Sequence, residues 1–244
     1  MFSLDRLNAR TLLRLEADLS HHTLDEFVER IRQHYGLANS VYVCPSFPGR
    51  SLIDPYVTAT YSPEWISHYR TQRYVSIDPV VNIGARSALP LDWARLPRRT
   101  KKAKRLFGEA KEAGVGHQGL TIPVRGPANG LWALFIATSN ESDSEWAARR
   151  YELMRDITLV AYYAHQRAYE LHAKEEPVDL NGVTQREIEA LECAAEGKSV
   201  EDMAILMRIS AVTVRAHLDS ARHKLQALNR VHAVTKALRA GLIH

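Results

Sequence analysis

The chain has 244 residues, 45% apolar and 25% charged, which leaves room for two hydrophobic cores and excludes a disordered protein. Its net charge of +4 is modest, and its two cysteines, Cys44 and Cys193, exclude a disulfide framework and a cysteine zinc site. No apolar run is as long as a membrane span, and residues 1–20 carry acids among the bases, unlike a signal peptide. We therefore expect a cytoplasmic protein without a membrane segment.

The first half of the chain alternates helix and strand signals. Thr23 and Glu26 have capping-box spacing ahead of an amphipathic helix that Gly36 ends. Ser62 followed by Pro63 is typical of a helix cap with proline in the first turn. The pattern predicts, in order, strands at 40–44 and 56–61 and helices from Pro63 through Tyr74 and over 79–85.

A basic run follows, with seven bases among the eleven residues from Arg95 to Arg105, and it leads into a helix that ends near Gly114. A solvated loop and helix start is the favoured interpretation, and a surface for nucleic acid or an acidic partner is the alternative. Residues 119–124 and 130–138 are apolar and β-prone, and Asn129-Gly130 between them indicates a hairpin.

A long helix is predicted from the capping pair Ser142 and Glu145. Arg150 and Arg167 interrupt its apolar seam, which favours packing on the protein's own sheet over a dimer seam, although both can hold. The seam consists of Trp146, Leu153, Ile157, Val160, Ala164 and Leu171. Residues 173–182 are polar with Pro and Gly, as in a linker. Residues 1–172 thus form a predicted α+β sandwich in which helices flank an antiparallel sheet.

Residues 183–244 contain helical runs separated by caps. Gly197 is placed to end the first helix, Ser199 and Asp202 have the spacing of a capping pair for the second, and Ser210 caps a third. Only Arg208 to Ser210 join the second helix to the third, which is rich in Thr, Arg, His and Lys. This arrangement is typical of a helix-turn-helix that presents a recognition helix to the DNA major groove.

Charge in this region is sorted by sign. From Glu187 to Asp202 there are six acids and one base, whereas from Met203 to His244 there are seven bases and one acid. The positive field therefore lies on the half that would approach phosphates. A small helical interaction domain with a solvated basic face is the alternative.

The region resembles the C-terminal domain of LuxR-type regulators along essentially its whole length. The residues that carry the resemblance are Glu187, Leu191, Gly197, Ile209, Thr213, His217, Lys224, Asn229, Ala233 and Gly241. The resemblance implies an all-α, four-helix domain whose helix from Ser210 enters the major groove and whose last helix, 230–240, supports dimerisation.

Positions in the recognition helix give the expected DNA contacts. Arg215 is expected to reach base edges, with Ala216 and Asp219 beside it. The residues expected at phosphates are Thr213, Ser220 and Lys224. Because one short helix offers little contact, we expect a homodimer on palindromic double-stranded operator DNA. The resemblance also implies RNA polymerase as a partner.

An aromatic cluster is the informative feature of the first half. Trp65 and Tyr69, four residues apart, share a helix face, and Tyr61 lies just ahead of them. Such a set is more often core, but buried phenol and indole groups and a nearby Asp78 carboxylate all need partners, as in an apolar pocket that binds an amide. The spacing of Tyr61, Pro63, Trp65, Tyr69, Asp78, Trp93 and Gly119 resembles the domain of LuxR-type proteins that senses N-acyl-homoserine lactones.

The resemblance implies a role for each matching residue. Trp65 would donate its indole N–H to the lactone carbonyl, Tyr61 would donate to the acyl carbonyl, and Asp78 would accept the amide N–H. The lactone ring and the pocket wall would be formed by Trp93, Tyr69 and Leu106. The lactone would be the small-molecule ligand, with no cofactor.

Two segments depart from the family pattern. The stretch between Gly114 and Gly119 is one residue longer than in many relatives. After Asn129, where relatives often carry Ser or Thr, the strand Leu131 to Ile136 is large and apolar, which would shorten or reshape the acyl channel. An unsubstituted, branched or aromatic acyl group is therefore favoured.

The expected function is a quorum-sensing transcriptional regulator. The alternative is the same architecture sensing another small molecule or a partner protein, or acting without ligand. An enzyme is disfavoured, because the histidines have no metal-ligand spacing and neither a G-x-S-x-G motif nor a P-loop occurs.

Overall fold

The computed structural model describes residues 23–47, 50–97, 100–127, 130–172 and 182–243. They fall into two compact units, one holding a β-sheet and the other holding the helices after the predicted linker. Of the linker, residues 173–181 lie outside the described part of the chain. Among the described helices, none is long and apolar enough to cross a membrane.

The first unit is an α+β fold, as predicted. Its elements are α1 (Leu24–His34), β1 (Asn39–Cys44), β2 (Tyr56–Ala59), α2 (Pro63–Thr71), a 3-10 turn (Tyr74–Ser76), α3 (Pro79–Gly84), β3 (Leu91–Asp92), a second 3-10 turn (Trp93–Arg95), α4 (Lys101–Glu112), β4 (Gln118–Arg125), β5 (Trp132–Ser139) and α5 (Asp143–His172).

The five strands pair antiparallel throughout, in the order β2-β1-β5-β4-β3. Because successive side chains of a strand point to opposite faces, the sheet separates two layers. Helices α1 and α5 cover one face. The other face packs against α2, α3 and α4 through a core that includes Val41, Leu134, Trp65, Val80 and Leu106.

Local capping explains where several helices begin. At α1 the Thr23 hydroxyl accepts from the Glu26 N–H while the Glu26 carboxylate accepts from the Thr23 N–H, which confirms the predicted capping box. Ser62 caps α2 ahead of a proline in the first turn, also as predicted. Ser142 and Glu145 form the predicted pair at the start of α5.

Helix α5 packs on its own sheet, as the favoured interpretation stated. Trp146, Leu153 and Ile157 are among its buried residues. Arg150 interrupts the apolar seam because its guanidinium forms an ion pair, at 3.0 Å, with the buried carboxylate of Asp92.

Several predicted boundaries are corrected. Helix α2 ends at Thr71 instead of Tyr74, because Arg73 adopts a left-handed backbone conformation with φ of 52°. Strand β2 ends at Ala59, two residues early. The strands of the predicted hairpin do pair, but residues 126–131 join them; Asn129 lies outside the described residues.

The second unit contains the predicted four helices: α6 (Gln185–Ala195), α7 (Val200–Met207), α8 (Ala211–Lys224) and α9 (Arg230–Arg239). Ser199 with Asp202 caps α7, Ser210 caps α8, and Gly197 has a φ of 79°, each in its predicted place. The helices enclose a core that includes Leu191, Met203, Val214, Leu218, Leu225 and Ala233.

Candidate ligand cavity and nucleic-acid surface

A cavity of about 880 Å³ lies between the sheet and helices α2 to α4. Its size suits a small organic ligand, since such pockets span about 300 to 1,000 Å³. All six residues predicted to contact the ligand line it: Tyr61, Trp65, Tyr69, Asp78, Trp93 and Leu106.

Helix α2 supplies the aromatic wall. Trp65 and Tyr69, one turn apart, meet edge to face with ring centroids 6.1 Å apart. Trp65 is buried, and the position of Tyr61, just before the helix cap at Ser62, brings it to the same cavity. Within the described residues, neither the Trp65 indole N–H nor the Tyr61 hydroxyl has a hydrogen-bond partner. The cavity thus contains two donors available to a ligand.

Asp78 supplies an acceptor beside them. Its carboxylate caps α3, where Oδ1 accepts from the Val80 N–H at 2.8 Å and Oδ2 accepts from the Tyr69 hydroxyl at 2.8 Å. Burial raises the pKa of the carboxyl to about 6, although these hydrogen bonds act to lower it. The carboxylate therefore has two donors within the protein, and the Tyr69 bond is a contact that sequence reasoning missed.

Trp93 is fixed on three sides. Its indole N–H donates to the Thr121 hydroxyl at 2.9 Å, and its ring meets Phe107 edge to face. A Cβ added to Gly119 would lie 2.4 Å from Trp93 Cδ2, so only glycine leaves room for the ring. Asp92, just ahead, holds the turn by accepting from the Ala94 N–H.

A second polar cluster, not foreseen from the sequence, ties α4 to α2. The Glu109 carboxylate bonds the His68 ring at 2.7 Å and the Arg105 guanidinium at 2.6 Å, and it accepts a short bond from the Tyr74 hydroxyl. These bonds, led by Tyr74, lower the pKa of Glu109 to about 2. The cluster holds two walls of the cavity together.

Strand β5 contributes only alternate residues to the cavity. Trp132, Leu134 and Ile136 line it, whereas Phe135, fully buried, lies outside it. We expected the whole apolar run from Leu131 to Ile136 to shape the channel. Because side chains of a strand alternate between its two faces, only every second residue does so.

Helix α8 presents an exposed face in the second unit. Arg215, Ala216 and Asp219 are all exposed on it. Arg215 lies 3.3 Å from Glu201 of α7, and Asp219 lies 3.5 Å from Arg230 of α9. Exposed ion pairs of this kind contribute little to stability, so these side chains are available to a partner.

The three residues expected at phosphates are engaged within the unit. Thr213 pairs with the Ser210 hydroxyl at the helix start. Ser220 donates to the buried Glu187 carboxylate at 2.6 Å, and the Lys224 ammonium contacts both oxygens of that carboxylate at 2.8 Å. Burial acts to raise the pKa of Glu187, but these bonds outweigh it and hold the pKa at about 2. Phosphate contact by the three residues stays a prediction.

The basic run is solvated where it is described. Lys101, Lys102, Lys104 and Arg105 are exposed at the start of α4, and Arg98 and Arg99 lie outside the described residues. No group of three or more potential metal ligands occurs in the part of the chain that the structure covers.

Comparison with known proteins identifies both units. Residues 20–168 match the autoinducer binding domain, and residues 181–237 match the domain of the bacterial regulatory proteins of the luxR family. The chain belongs to the LuxR family. It is a quorum-sensing transcriptional regulator with an autoinducer-binding domain and a helix-turn-helix, and not an enzyme.

Two relatives are similar to this chain over most of their length. The transcriptional activator protein RaiR of Rhizobium etli is 39% identical, over 80% of each chain. The quorum sensing-dependent transcriptional regulator RpaR of Rhodopseudomonas palustris is 32% identical, over 84% of this chain and 82% of its own. Among solved structures, SdiA in complex with octanoyl-rac-glycerol has a TM-score of 0.64 at 22% identity, covering 99% of this chain and 98% of its own, which shows a shared fold.

Proposed function

We propose that this LuxR-family regulator binds an N-acyl-homoserine lactone in the cavity. The observation that carries the proposal is the buried Asp78 carboxylate beside two unpaired donors, the Tyr61 hydroxyl and the Trp65 indole. A ligand that satisfies all three needs one hydrogen-bond donor with an acceptor on each side of it. An N-acyl-homoserine lactone has this arrangement, with an amide N–H between the acyl carbonyl and the lactone carbonyl.

The rest of the cavity suits the remainder of such a ligand. The amide N–H donates to the Asp78 carboxylate. The lactone carbonyl accepts from the Trp65 indole, and the acyl carbonyl accepts from the Tyr61 hydroxyl. Trp93 packs against the lactone ring. Leu106, together with Tyr69, lines the apolar wall.

We further propose that the regulator acts as a homodimer on palindromic operator DNA, where it works with RNA polymerase. On the exposed face of α8, Arg215 reads base edges with Ala216 and Asp219 beside it. The residues that contact phosphates are Thr213, Ser220 and Lys224. Support comes from the exposed face of α8 and from the helix-turn-helix family match.

Ligand extraction tests the proposal. The protein is produced in cells with and without an acyl-homoserine lactone synthase, and bound small molecules are identified by mass spectrometry. We expect a lactone at one per chain from the synthase cells only, together with a higher yield of folded protein, because bound ligand adds to stability. Another molecule bound from both cell types, or a stable protein that carries none, would reject the lactone.

A further inference from the structure

An apolar residue, Val212, lies on the exposed face of α8. It is the second residue of the helix, and its side chain is 73% exposed. At about 100° of turn per residue, it lies within about 60° of Arg215, Ala216 and Asp219 around the helix axis. These three residues are exposed as well. Val212 therefore extends the exposed face of α8 toward the amino end of the helix.

The packing of α8 does not require an apolar residue at position 212. The buried residues of the helix are Val214, Leu218 and Ala221, which lie on the opposite side and join the core of the helical unit. Valine is also a weaker helix former than alanine, leucine, lysine or glutamate, so helix stability does not favour it. A single exposed aliphatic residue is common on protein surfaces. What distinguishes Val212 is its place on the face that carries the expected base contacts.

The start of α8 is compatible with a close approach to phosphate groups. The Ser210 hydroxyl caps the helix by accepting from the Thr213 N–H at 3.1 Å. The first turn of α8 contains no acid, whereas the first turn of α7 contains Glu201 and Asp202. Acids in a first turn stabilise a helix, but they would repel the phosphates that line a DNA groove. The amino end of α8 can therefore enter the groove without a carboxylate in its own first turn.

The chemistry of the major groove determines what Val212 can recognise there. The amino-terminal residues of a recognition helix contact base edges. The one methyl group on those edges belongs to thymine, whereas the other groups that distinguish the bases are hydrogen-bond donors and acceptors. An isopropyl group placed against a donor or acceptor would remove its water without replacing the hydrogen bond. Placed against a thymine methyl, it removes apolar surface from water on both sides.

We propose that Val212 is a specificity-determining residue that reads a thymine of the operator by packing against its 5-methyl group. This inference rests on the proposed reading of DNA by α8. Arg215 recognises a base by hydrogen bonds to its polar edge, and Val212, on the same helix face, recognises a neighbouring base by its methyl group.

Replacement of thymine by uracil tests the proposal, because dU lacks only the methyl group of dT. Full-length protein, purified from cells that contain the lactone synthase, selects a duplex from a randomised library. Each dT of that duplex is then replaced by dU, one at a time, and dissociation constants are measured for wild type and Val212→Ala. We expect one replacement in a half-site to weaken wild-type binding by about three- to fivefold, the effect of roughly one buried methyl group. The same replacement should leave the affinity of Val212→Ala nearly unchanged.

Ile205→Ala is the matched control, because Ile205 is an aliphatic residue of α7 with a similar exposure of 77%. It should remain as sensitive to dU as wild type at every position. Alanine is the better helix former, so Val212→Ala should melt no lower than wild type. Val212→Ser is a second variant, in which both methyl groups are absent, and it should lose the sensitivity to dU as well.

Three outcomes would count against the inference alone. They are a wild type that tolerates dU at every position, a sensitive position that stays sensitive in both Val212 variants, and the same loss of sensitivity in Ile205→Ala. A wild type that selects no duplex from the library would instead reject the proposed reading of DNA itself.

Discussion

At the scale of single residues, the charge of the buried Asp78 carboxyl depends on pH close to neutrality. Burial raises its pKa in the folded chain to about 6, from an ordinary value of 3.8. The contribution of this shift to folding stability is therefore fully present below pH 3.8 and is lost as the pH rises through 6. A ligand N–H that bonds the ionised carboxylate offsets that loss.

Lactone affinity should consequently depend on pH. Below about pH 6 Asp78 becomes protonated, and the ligand must displace that proton to donate its own hydrogen bond, so affinity should fall as the solution is acidified. Equilibrium dialysis from pH 5 to pH 7.5 measures the effect.

Asp78→Asn is the control for this prediction. It should bind lactone weakly at every pH, and it should melt no lower than wild type without ligand at pH 7, because the amide carries no buried charge. With wild type, ligand at 100 times its dissociation constant adds about 2.7 kcal/mol to the free energy of unfolding. An undiminished thermal shift in the variant would assign Asp78 a structural role only.

Gly119 provides a second prediction at this scale. Gly119→Ala forces Trp93 out of place, since the new Cβ would lie 2.4 Å from the indole, far inside van der Waals contact. We expect a lower melting temperature and at least about a tenfold loss of lactone affinity, in the range of pocket effects on small groups. Gly108→Ala, on the open side of α4, meets nothing within 4 Å and should be neutral or stabilising by about 0.5 to 1 kcal/mol. If lactone raised the melting temperature of both variants by the same amount, the role given to Gly119 would be contradicted.

At the scale of elements, the carboxylate of Glu187 joins the start of α6 to the end of α8. The pKa of Glu187 is held at about 2, below its ordinary 4.5, so its contribution to stability is present above pH 4.5 and is lost as the pH falls toward 2. Glu187→Gln should lower the free energy of unfolding of the helical unit by about 1 to 3 kcal/mol, since Lys224 is a third exposed and partly screened. Denaturant unfolding at pH 7 measures it. Glu189→Gln, which removes an exposed pair with Arg186, should change little, and equal losses in the two variants would contradict the argument.

DNA reading by α8 is tested with two substitutions. Arg215→Ala should cost roughly 1 to 3 kcal/mol on operator DNA and relax specificity at one position. Lys224→Ala should weaken binding to all sequences alike and lower the salt slope by about one, besides lowering the melting temperature through Glu187. Binding titrations on operator and random duplexes separate the effects. If Arg215→Ala loses the same affinity on both duplexes, Arg215 does not contact a base. If Lys224→Ala leaves the salt slope unchanged, the Lys224 ammonium contacts Glu187 and no phosphate.

Local patterns predicted the elements better than the contacts between them. The caps at Thr23, Ser142 and Ser199 depend on residues three apart, which a sequence displays directly. The bond from Lys224 to Glu187 joins positions 37 residues apart, and its existence depends on how α6 packs against α8. Likewise, periodicity could place large residues on β5, but only the sheet's position between two helical layers decides which of them face the ligand cavity.

At the scale of the whole molecule, the residues that line the cavity could be predicted from the sequence. The six residues expected to contact a ligand line one cavity although they come from several elements, and their positions were indicated by the match to the family pattern. The Glu109 cluster that holds the walls together was not predictable, since its members serve the packing of α2 against α4 and bear no fixed relation to a ligand. The positions of residues that support a site thus depend on the tertiary packing and are not indicated by a sequence motif.

Dimerisation is the remaining prediction. Two chains on a palindrome double the contact of one reading helix, and half-sites should be centred about one helical turn, or roughly 10 base pairs, apart. On α9, Val231 and Leu238 are seven residues apart and exposed, so they form an apolar stripe that a second copy can cover. Val231→Asp should reduce the complex on operator DNA from two chains to one in sedimentation experiments. Ile205→Asp, which alters an equally exposed aliphatic residue on α7, should leave two chains bound. A wild-type protein that stays a monomer at micromolar concentration with lactone and operator both present would reject the dimer.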